Sequence, residues 1–341
     1  MRRLSNILSA VFTLCVILTT ASCEKRPLVD MDHRTNVSVM VNIDAISNVT
    51  CDIYNEKIAT PKIEPLAMHV LFFDNNTNKV VSESFINDIS YNEDGRRMLS
   101  GKVSLLPGTY NMLIYDFGTE ATIVDNYYIW DECKASTNEI SPALKRSLVS
   151  KAENKSLKDA YIVYEPDHLV VATHEDEHVP YHEGVHTIET EAKSVVESYY
   201  LQIKVDGLEY VSSAQAVLSG MVNSNIITSN TRVVEPPATI WFDLEKSDDN
   251  GIPVICTVFN TFGRIADSQN ELEVTFDIKT HDGRIIQRTF DITELFSTPE
   301  CIEHHWLLLD ETITIEPPQI PGGGFAPEVD DWEEENREIF I

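Results

Sequence analysis

Hydrophobic residues recur at every second position over most of this chain, which predicts β-strands rather than helices. In residues 36–44, written NVSVMVNID, the apolar residues Val37, Val39, Val41 and Ile43 share one phase. Because residues two apart on a strand point to the same face, these four side chains predict one buried face. The stretch therefore predicts a half-buried strand near the start of the folded region.

Turn sequences separate such runs at intervals of about ten residues, a spacing typical of β-sandwiches. The runs AMHVLFFD and KVVSESFI flank the turn at residues 75–78 and predict a hairpin. A second hairpin is predicted at THDGR, where Asp282-Gly283 suits a tight turn. Pro107-Gly108 separates two further strands.

The strands fall into two series, and the second begins near Val195. Only residues 141–160, SPALKRSLVSKAENKSLKDA, have a helical pattern, and they lie within the first series. We therefore predict an all-β protein of two β-sandwich domains, with a short helical insert in the first. The predicted segments are a signal peptide at 1–22, an N-terminal domain at 23–192, a C-terminal domain at 193–316, and a Pro/Gly linker with an acidic tail at 317–341.

Two arginines, an apolar run over residues 7–18 and small residues lead up to Cys23. An apolar run of this length is too short to span about 30 Å of hydrocarbon, so it predicts an export signal. Ala21-Ser22 directly before Cys23 resembles the bacterial lipobox, whose cysteine is acylated and becomes the mature N-terminus. We expect lipid on Cys23 to hold the protein on a membrane without a transmembrane helix. An ordinary secretory signal with a chance cysteine is the alternative.

The formal net charge is −29, from 55 acidic and 26 basic residues. So acidic a surface disfavours nucleic acid and anionic lipid headgroups as partners. It suits a protein held out from a cell surface.

Four further cysteines follow the signal region, and an even number in an exported protein permits disulfides in three possible pairings. They are Cys51, Cys133, Cys256 and Cys301. Pairing Cys51 with Cys133 and Cys256 with Cys301 keeps each bond within one predicted domain. Because Cys256 lies in an apolar run, a buried free thiol is the alternative there.

The segment ATHEDEHVPYHEGVH, residues 172–186, contains the zinc-peptidase signature H-E-x-x-H at His174, Glu175 and His178. That signature works when both histidines lie on one face of a helix, with the glutamate as base. Here it follows the strand pattern HLVVAT, and Pro180 comes two residues after it. We therefore predict a solvated acidic loop between strands, no catalytic zinc and no cofactor. Weak candidates for metal ligands are His174, His178, His182 and His186.

The stretch LPGTY at residues 106–110, followed by NMLIYDFGT, resembles the strand-turn-strand of fimbrillin-type lipoproteins from Bacteroides-like bacteria. Further pieces similar to that family occur in the expected order: EPDHL, GLEYVSSAQAVLSGM, FNTFG, FDITELF, and GGGF with VDDW. Together with the lipobox they cover nearly the whole mature chain.

This resemblance implies two transthyretin-like β-sandwiches in a non-catalytic, structural or adhesive protein. It also implies an outer-membrane lipoprotein at the cell surface, most similar to the anchor or accessory subunits of pili, with fimbrial subunits as partners. Polymerising subunits of that family are trimmed by a protease at an arginine, and the vacated groove accepts a donor strand. No clear arginine site lies among the early strands here, which favours an anchor that keeps its lipid.

Two other functions remain open on the sequence: a surface glycan-binding lipoprotein, and a zinc hydrolase using His174, Glu175 and His178. The acidic tail also carries apolar residues that suit contact with a partner: Trp332, Ile339, Phe340 and Ile341. We expect the tail to add a strand to its own second domain or to a neighbouring subunit. A disordered acidic tail is the alternative.

Overall fold

The computed structural model describes residues 33–45, 47, 49, 61–149, 156–181, 183–266 and 271–318. Nearly all regular structure in these residues is β, as the alternating pattern predicts. None of the helices in them has the length and apolar character needed to cross a bilayer.

The first large sheet is built from residues before position 195. Its strand order is β3-β2-β6-β10-β11-β1-β5-β4. The strands are β1 (Thr35–Ile43), β2 (Met68–Asp74), β3 (Lys79–Ile86), β4 (Asp88–Tyr91), β5 (Arg97–Leu105), β6 (Gly108–Asp116), β10 (Val170–Val179) and β11 (Val185–Ser194). Residues 106–107 connect β5 to β6, but these two strands do not pair with each other. β5 pairs with β1 and β4, and β6 pairs with β2 and β10.

This sheet curls around a single core. Side chains from β2 and β5, which lie far apart in the strand order, belong to the same buried cluster. The end of β3 approaches β5 so closely that a Cβ at Gly101 would lie 2.5 Å from Cγ2 of Ile86. Glycine at position 101 is therefore required for the sheet to close in this way.

The second large sheet follows the order β19-β18-β13-β16-β17-β12-β20 and also encloses its own apolar cluster. Its strands are β12 (Glu197–Asp206), β13 (Val211–Met221), β16 (Ala238–Asp249), β17 (Ile252–Thr261), β18 (Glu273–Thr280), β19 (Ile285–Asp291) and β20 (Trp306–Thr314). The strand β9 (Tyr161–Tyr164) pairs with β16 in parallel, so a strand from the first half of the chain joins the second sheet.

A small third sheet of order β15-β14-β8-β7 links the two halves. Its strands are β7 (Thr122–Asp125), β8 (Lys134–Thr137), β14 (Ser224–Ile226) and β15 (Thr231–Val233). Beneath it, Phe73 and Leu113 from the outer face of the first sheet pack with Trp130, and with Val222 and Phe262 from the second half. The two halves therefore share buried apolar surface.

The predicted helical insert is helical at α1 (Pro142–Val149) and α2 (Ser156–Asp159). A third helix, α3 (Pro299–His304), lies before β20 and has no counterpart among the predictions. The two predicted hairpins, β2–β3 and β18–β19, are both formed. In the second, Gly283 has a φ of 84°, as its turn requires.

Glu165 is a largely buried carboxyl group where the first half of the chain meets the second sheet. Its Oε2 accepts a hydrogen bond from the backbone N–H of Asn260 at 2.8 Å. Burial, with repulsion from Asp167 and Asp243, raises the pKa of Glu165 from 4.5 to about 7. The folded protein therefore holds a proton at Glu165 that the unfolded chain loses more readily.

Stability should fall as the pH rises from about 4.5 to about 7, by about 3 kcal/mol from this group. A group with a raised pKa contributes its full stability below the unfolded pKa and loses it as the pH rises through the folded pKa. Glu165→Gln keeps the acceptor oxygen and should remove most of this fall, as measured by urea unfolding at pH 4.5 and pH 8. The exposed Glu93→Gln serves as the control; an unchanged pH profile in Glu165→Gln would contradict the assignment.

Candidate functional site

The strand β1 is the first described element after the predicted lipid attachment point, and it occupies the middle of the first sheet. It pairs in parallel with β11 from Asn36 to Ile43, and antiparallel with β5 from Thr35 to Asn42. Its inward side chains are those that the alternating pattern predicted, and Val39 is only 1% exposed. Any pull along this strand is therefore resisted by two hydrogen-bonded ladders and a buried face.

The beginning of β1 is held by the connection between β10 and β11. The hydroxyl of Thr35 donates a hydrogen bond to the carbonyl of Pro180 at 2.6 Å. The His33 ring meets the edge of Tyr181, with 5.1 Å between ring centroids. On the other side, Arg34 donates to the carbonyl of Ser104 at 3.3 Å. We call this region, where the chain enters the first sheet, the tether end.

The prediction that the H-E-x-x-H segment forms a loop is wrong. Its five residues lie within β10, which continues to Val179. The strand accommodates the polar segment through a bulge between His174 and Glu177, where Asp176 has a φ of 56°. The backbone N–H of Asp176 donates to the Asn111 side chain at 3.0 Å, which supplies a partner for the displaced backbone. The helix on which a zinc peptidase depends is not formed at this segment.

Within this strand, the carboxylate of Glu177 lies between two imidazoles and contacts both. Its Oε2 lies 2.9 Å from Nε2 of His174, and its Oε1 lies 3.0 Å from Nε2 of His186 on β11. His178 instead faces Thr109, at 3.5 Å. His182 lies outside the described residues. In the described part of the chain, the cluster links two strands at the tether end, and no group of three or more His, Cys, Asp or Glu residues there has metal-binding geometry.

The predicted bond between Cys256 and Cys301 is not formed, and both residues are buried free thiols, as is Cys133. The reason is their placement. Cys301, on α3, belongs to the cluster that the second sheet encloses, whereas Cys256, on β17, packs with Tyr200 and Trp306 in a separate cluster. Burial raises the pKa of Cys133 to about 12 and that of Cys301 to about 11, so both thiols are held protonated. At Cys256 the structure therefore has the buried free thiol that Sequence analysis gives as the alternative to a disulfide.

Several predicted residues lie outside the described part of the chain. They are Cys23, Cys51, Trp332, Ile339, Phe340 and Ile341. The chain leading to the tail is described as far as residue 318, and it follows the second sheet closely. The N–H of Ile315 donates to Asp206 O at 2.8 Å, and Arg284 donates to Glu316 O at 2.7 Å.

At the opposite end of the first sheet is a cleft that the sequence did not predict as a site. It has a volume of about 430 Å³, and its lining includes Asp116, Phe117, Asp167 and His168. Phe117 packs against Phe85 of β3, and both rings are about half exposed. One signal was available: in KVVSESFI, the apolar Val81 and Phe85 share the exposed phase with Lys79 and Glu83.

Sequence comparison with known proteins identifies a family and a curated relative of this chain. The family profile described as "Domain of unknown function (DUF5119)" matches residues 22–243. A curated Bacteroides ovatus protein, the "putative fimbrium anchoring subunit Fim4B", is 21% identical over 96% of this chain and 96% of its own length. The resemblance to fimbrial proteins predicted from the sequence is confirmed by this relative.

A solved structure shares the fold. A "putative adhesin from Bacteroides ovatus" matches with a TM-score of 0.54 and 17% identity, over 83% of this chain and 94% of its own. The fimbrial anchor protein Mfa2 from Porphyromonas gingivalis matches with a TM-score of 0.42 and 12% identity, over 84% and 93% of the two chains. At 17% identity the likeness to the adhesin concerns the fold alone.

Proposed function

This chain belongs to the family described as "Domain of unknown function (DUF5119)", and we propose that it is a non-catalytic fimbrial anchor or accessory subunit. In this proposal a lipid on Cys23 holds it on the outer membrane at the cell surface, and fimbrial subunits are its partners. The relative described as a fimbrium anchoring subunit, which aligns over nearly the full length, supports this role. The finer description of the fold as two transthyretin-like sandwiches, divided near residue 193, is part of the same proposal.

The position of β1 is the observation that carries the proposal. An anchor must transmit force from a filament to a membrane, and here the segment after Cys23 runs directly into a central strand. The eleven residues of segment 24–34 can span at most about 40 Å when extended. Beyond them, a pull along β1 loads its bonds to β5 and β11 together, because it is paired on both sides along its length.

The pairing of β1 on both sides also favours the role of an anchor over that of a polymerising subunit. A polymerising subunit needs an empty groove for the donor strand of its neighbour. In this chain the space between β5 and β11 is filled by β1 itself, and Val37, Val39 and Val41 are buried in the core below. The first sheet is therefore complete in the untrimmed chain. The stretch from Thr35 to Gly95 contains no arginine at which trimming after β1 would vacate this space.

We further propose that the tail after Pro317 contacts a neighbouring subunit through its apolar residues. A chain ending at Glu316 keeps the bonds of Ile315 and Glu316 to the second sheet, so it should fold with an unchanged unfolding midpoint. It should nevertheless fail to assemble with fimbrial subunits, as measured by co-purification from membranes. The matched substitution Trp332→Ala with Phe340→Ala in the full chain should reproduce the loss. Assembly equal to that of the full chain would show that the tail is dispensable.

A further inference from the structure

The cleft at the end of the first sheet opposite the tether combines an aromatic rim with acceptor groups inside it. Phe117 and Leu66 line the cleft, and Phe85 packs against Phe117 beside it. Phe117 and Phe85 are 52% and 51% exposed. The two phenyl rings meet edge to face with 4.8 Å between centroids. We call these three side chains, the rings of Phe85 and Phe117 with the aliphatic Leu66 beside them, the aromatic ledge. Large exposed apolar side chains grouped in this way are typical of interaction surfaces.

The two phenyl rings of the ledge pack against a buried imidazole. His69 of β2 stacks under Phe85 at 4.4 Å, and its Nδ1 lies 2.8 Å from the hydroxyl of Tyr115. Burial lowers the pKa of His69, so its ring is uncharged at neutral pH although Glu83 lies 3.2 Å away. The two rings are therefore packed on the sheet, and the imidazole beneath them adds no positive charge.

The cleft beside the ledge is lined mainly by groups that accept hydrogen bonds. Its titratable residues are Lys62, Glu64, Asp116, Glu120, Asp167 and His168. Asp167 already accepts from the backbone N–H groups of Ala121 and Thr122, at 2.6 and 2.9 Å. Nδ1 of His168 is buried without a hydrogen-bond partner in the described part of the chain. When the ring proton is on Nε2, this nitrogen is an unsatisfied acceptor, which favours a ligand that can donate to it.

Charge also restricts the ligand. Asp116 has no cationic partner within 4 Å among the described residues, and Lys62 is exposed and forms no ion pair there. Burial, together with repulsion from Asp167, raises the pKa of Asp116 to about 6. Carboxylates in this environment repel an anionic ligand and are stabilised by a cation.

We propose that the cleft and the aromatic ledge form a docking site for an arginine side chain presented by a partner protein. The alkyl stem would pack on Phe117 and Leu66, with the guanidinium near the ring faces and the carboxylates. Arginine suits these groups better than lysine, because its planar guanidinium offers five donors and stacks on aromatic rings. The proposal stands on this surface alone and does not depend on the fimbrial role.

Binding of Nα-acetyl-arginine amide to the purified full-length protein tests the proposal, with the neutral isostere Nα-acetyl-citrulline amide as the matched ligand. Titration followed by NMR at pH 7.5 should give an affinity for the arginine compound about tenfold or more above that for the citrulline compound. Nα-acetyl-lysine amide should fall between the two. Asp116→Asn and Phe117→Ala should each lower the affinity about fivefold or more.

The control variants are Asp125→Asn, an exposed acid on β7, and Tyr91→Ala, an exposed aromatic residue on β4. Both should bind the arginine compound as the wild type does. Equal affinity for the arginine and citrulline compounds would overturn the proposal, as would unchanged binding in Asp116→Asn. Tighter binding of a neutral disaccharide at the same cleft would also overturn it and indicate a glycan site.

Discussion

Replacing Val39 by aspartate should unfold the first sheet, with a loss of about 4 kcal/mol or more in the free energy of unfolding. Val39 is 1% exposed and lies in the core that the first sheet encloses, between its pairing partners Ile188 and Gly101. A carboxylate there would be buried without a cation or donor to pair with. We expect protease sensitivity and a lowered urea midpoint in the purified protein.

The matched control is Asn36→Asp, which places the same side chain on the exposed face of the same strand. It should change stability by less than about 0.5 kcal/mol, since surface substitutions usually have effects of that size. A stable, protease-resistant Val39→Asp protein would mean that β1 is not a required part of the fold. The anchoring mechanism would then lose its mechanical basis.

Replacing Cys23 by alanine should move the protein from the membrane fraction to the soluble fraction. Each buried CH₂ of an acyl chain contributes about 0.8 kcal/mol to membrane binding, and stable attachment requires more than one chain. Removal of the acceptor cysteine removes all of this free energy at once. Metabolic labelling with a fatty acid, followed by fractionation, measures both the modification and its consequence.

Cys15→Ala, within the signal region, is the control for this variant, and it should leave labelling and membrane attachment unchanged. Fatty-acid labelling that survives Cys23→Ala would refute the assignment of the lipid. A labelled protein that stays soluble would separate lipidation from anchoring.

Local patterns in the sequence were sufficient to predict individual strands and hairpins. The alternation of Val37, Val39, Val41 and Ile43 fixes which face of β1 is buried, because the side-chain period of a strand is two. The turn after Asp74 is equally local, since its side chain accepts hydrogen bonds from the N–H groups of Asn76 and Thr77.

The order of strands in the sheets depends on contacts between distant residues and could not be predicted in this way. Parallel pairing of β1 with β11 joins residues about 150 positions apart, and β9 crosses to the second sheet. The errors at the candidate sites have similar causes. Polar residues from His174 to His178 imitate a loop because a bulge, supported by Asn111, keeps them within a strand.

The cysteine prediction failed for a related reason. The number and spacing of cysteines do not show which apolar cluster each thiol joins, and Cys256 and Cys301 lie in separate clusters. The aromatic ledge was missed because Phe85 lies on β3 and Phe117 directly after β6, and the two rings meet only in the folded protein.

Electron microscopy of the bacterium that encodes this chain tests anchoring most directly, with either the wild type or Cys23→Ala as the sole copy. If this chain connects fimbriae to the outer membrane through its lipid and β1, wild-type cells should carry attached filaments. Cells with Cys23→Ala should release filaments of normal appearance into the medium. Filaments retained in equal number on cells with Cys23→Ala would contradict the anchoring role.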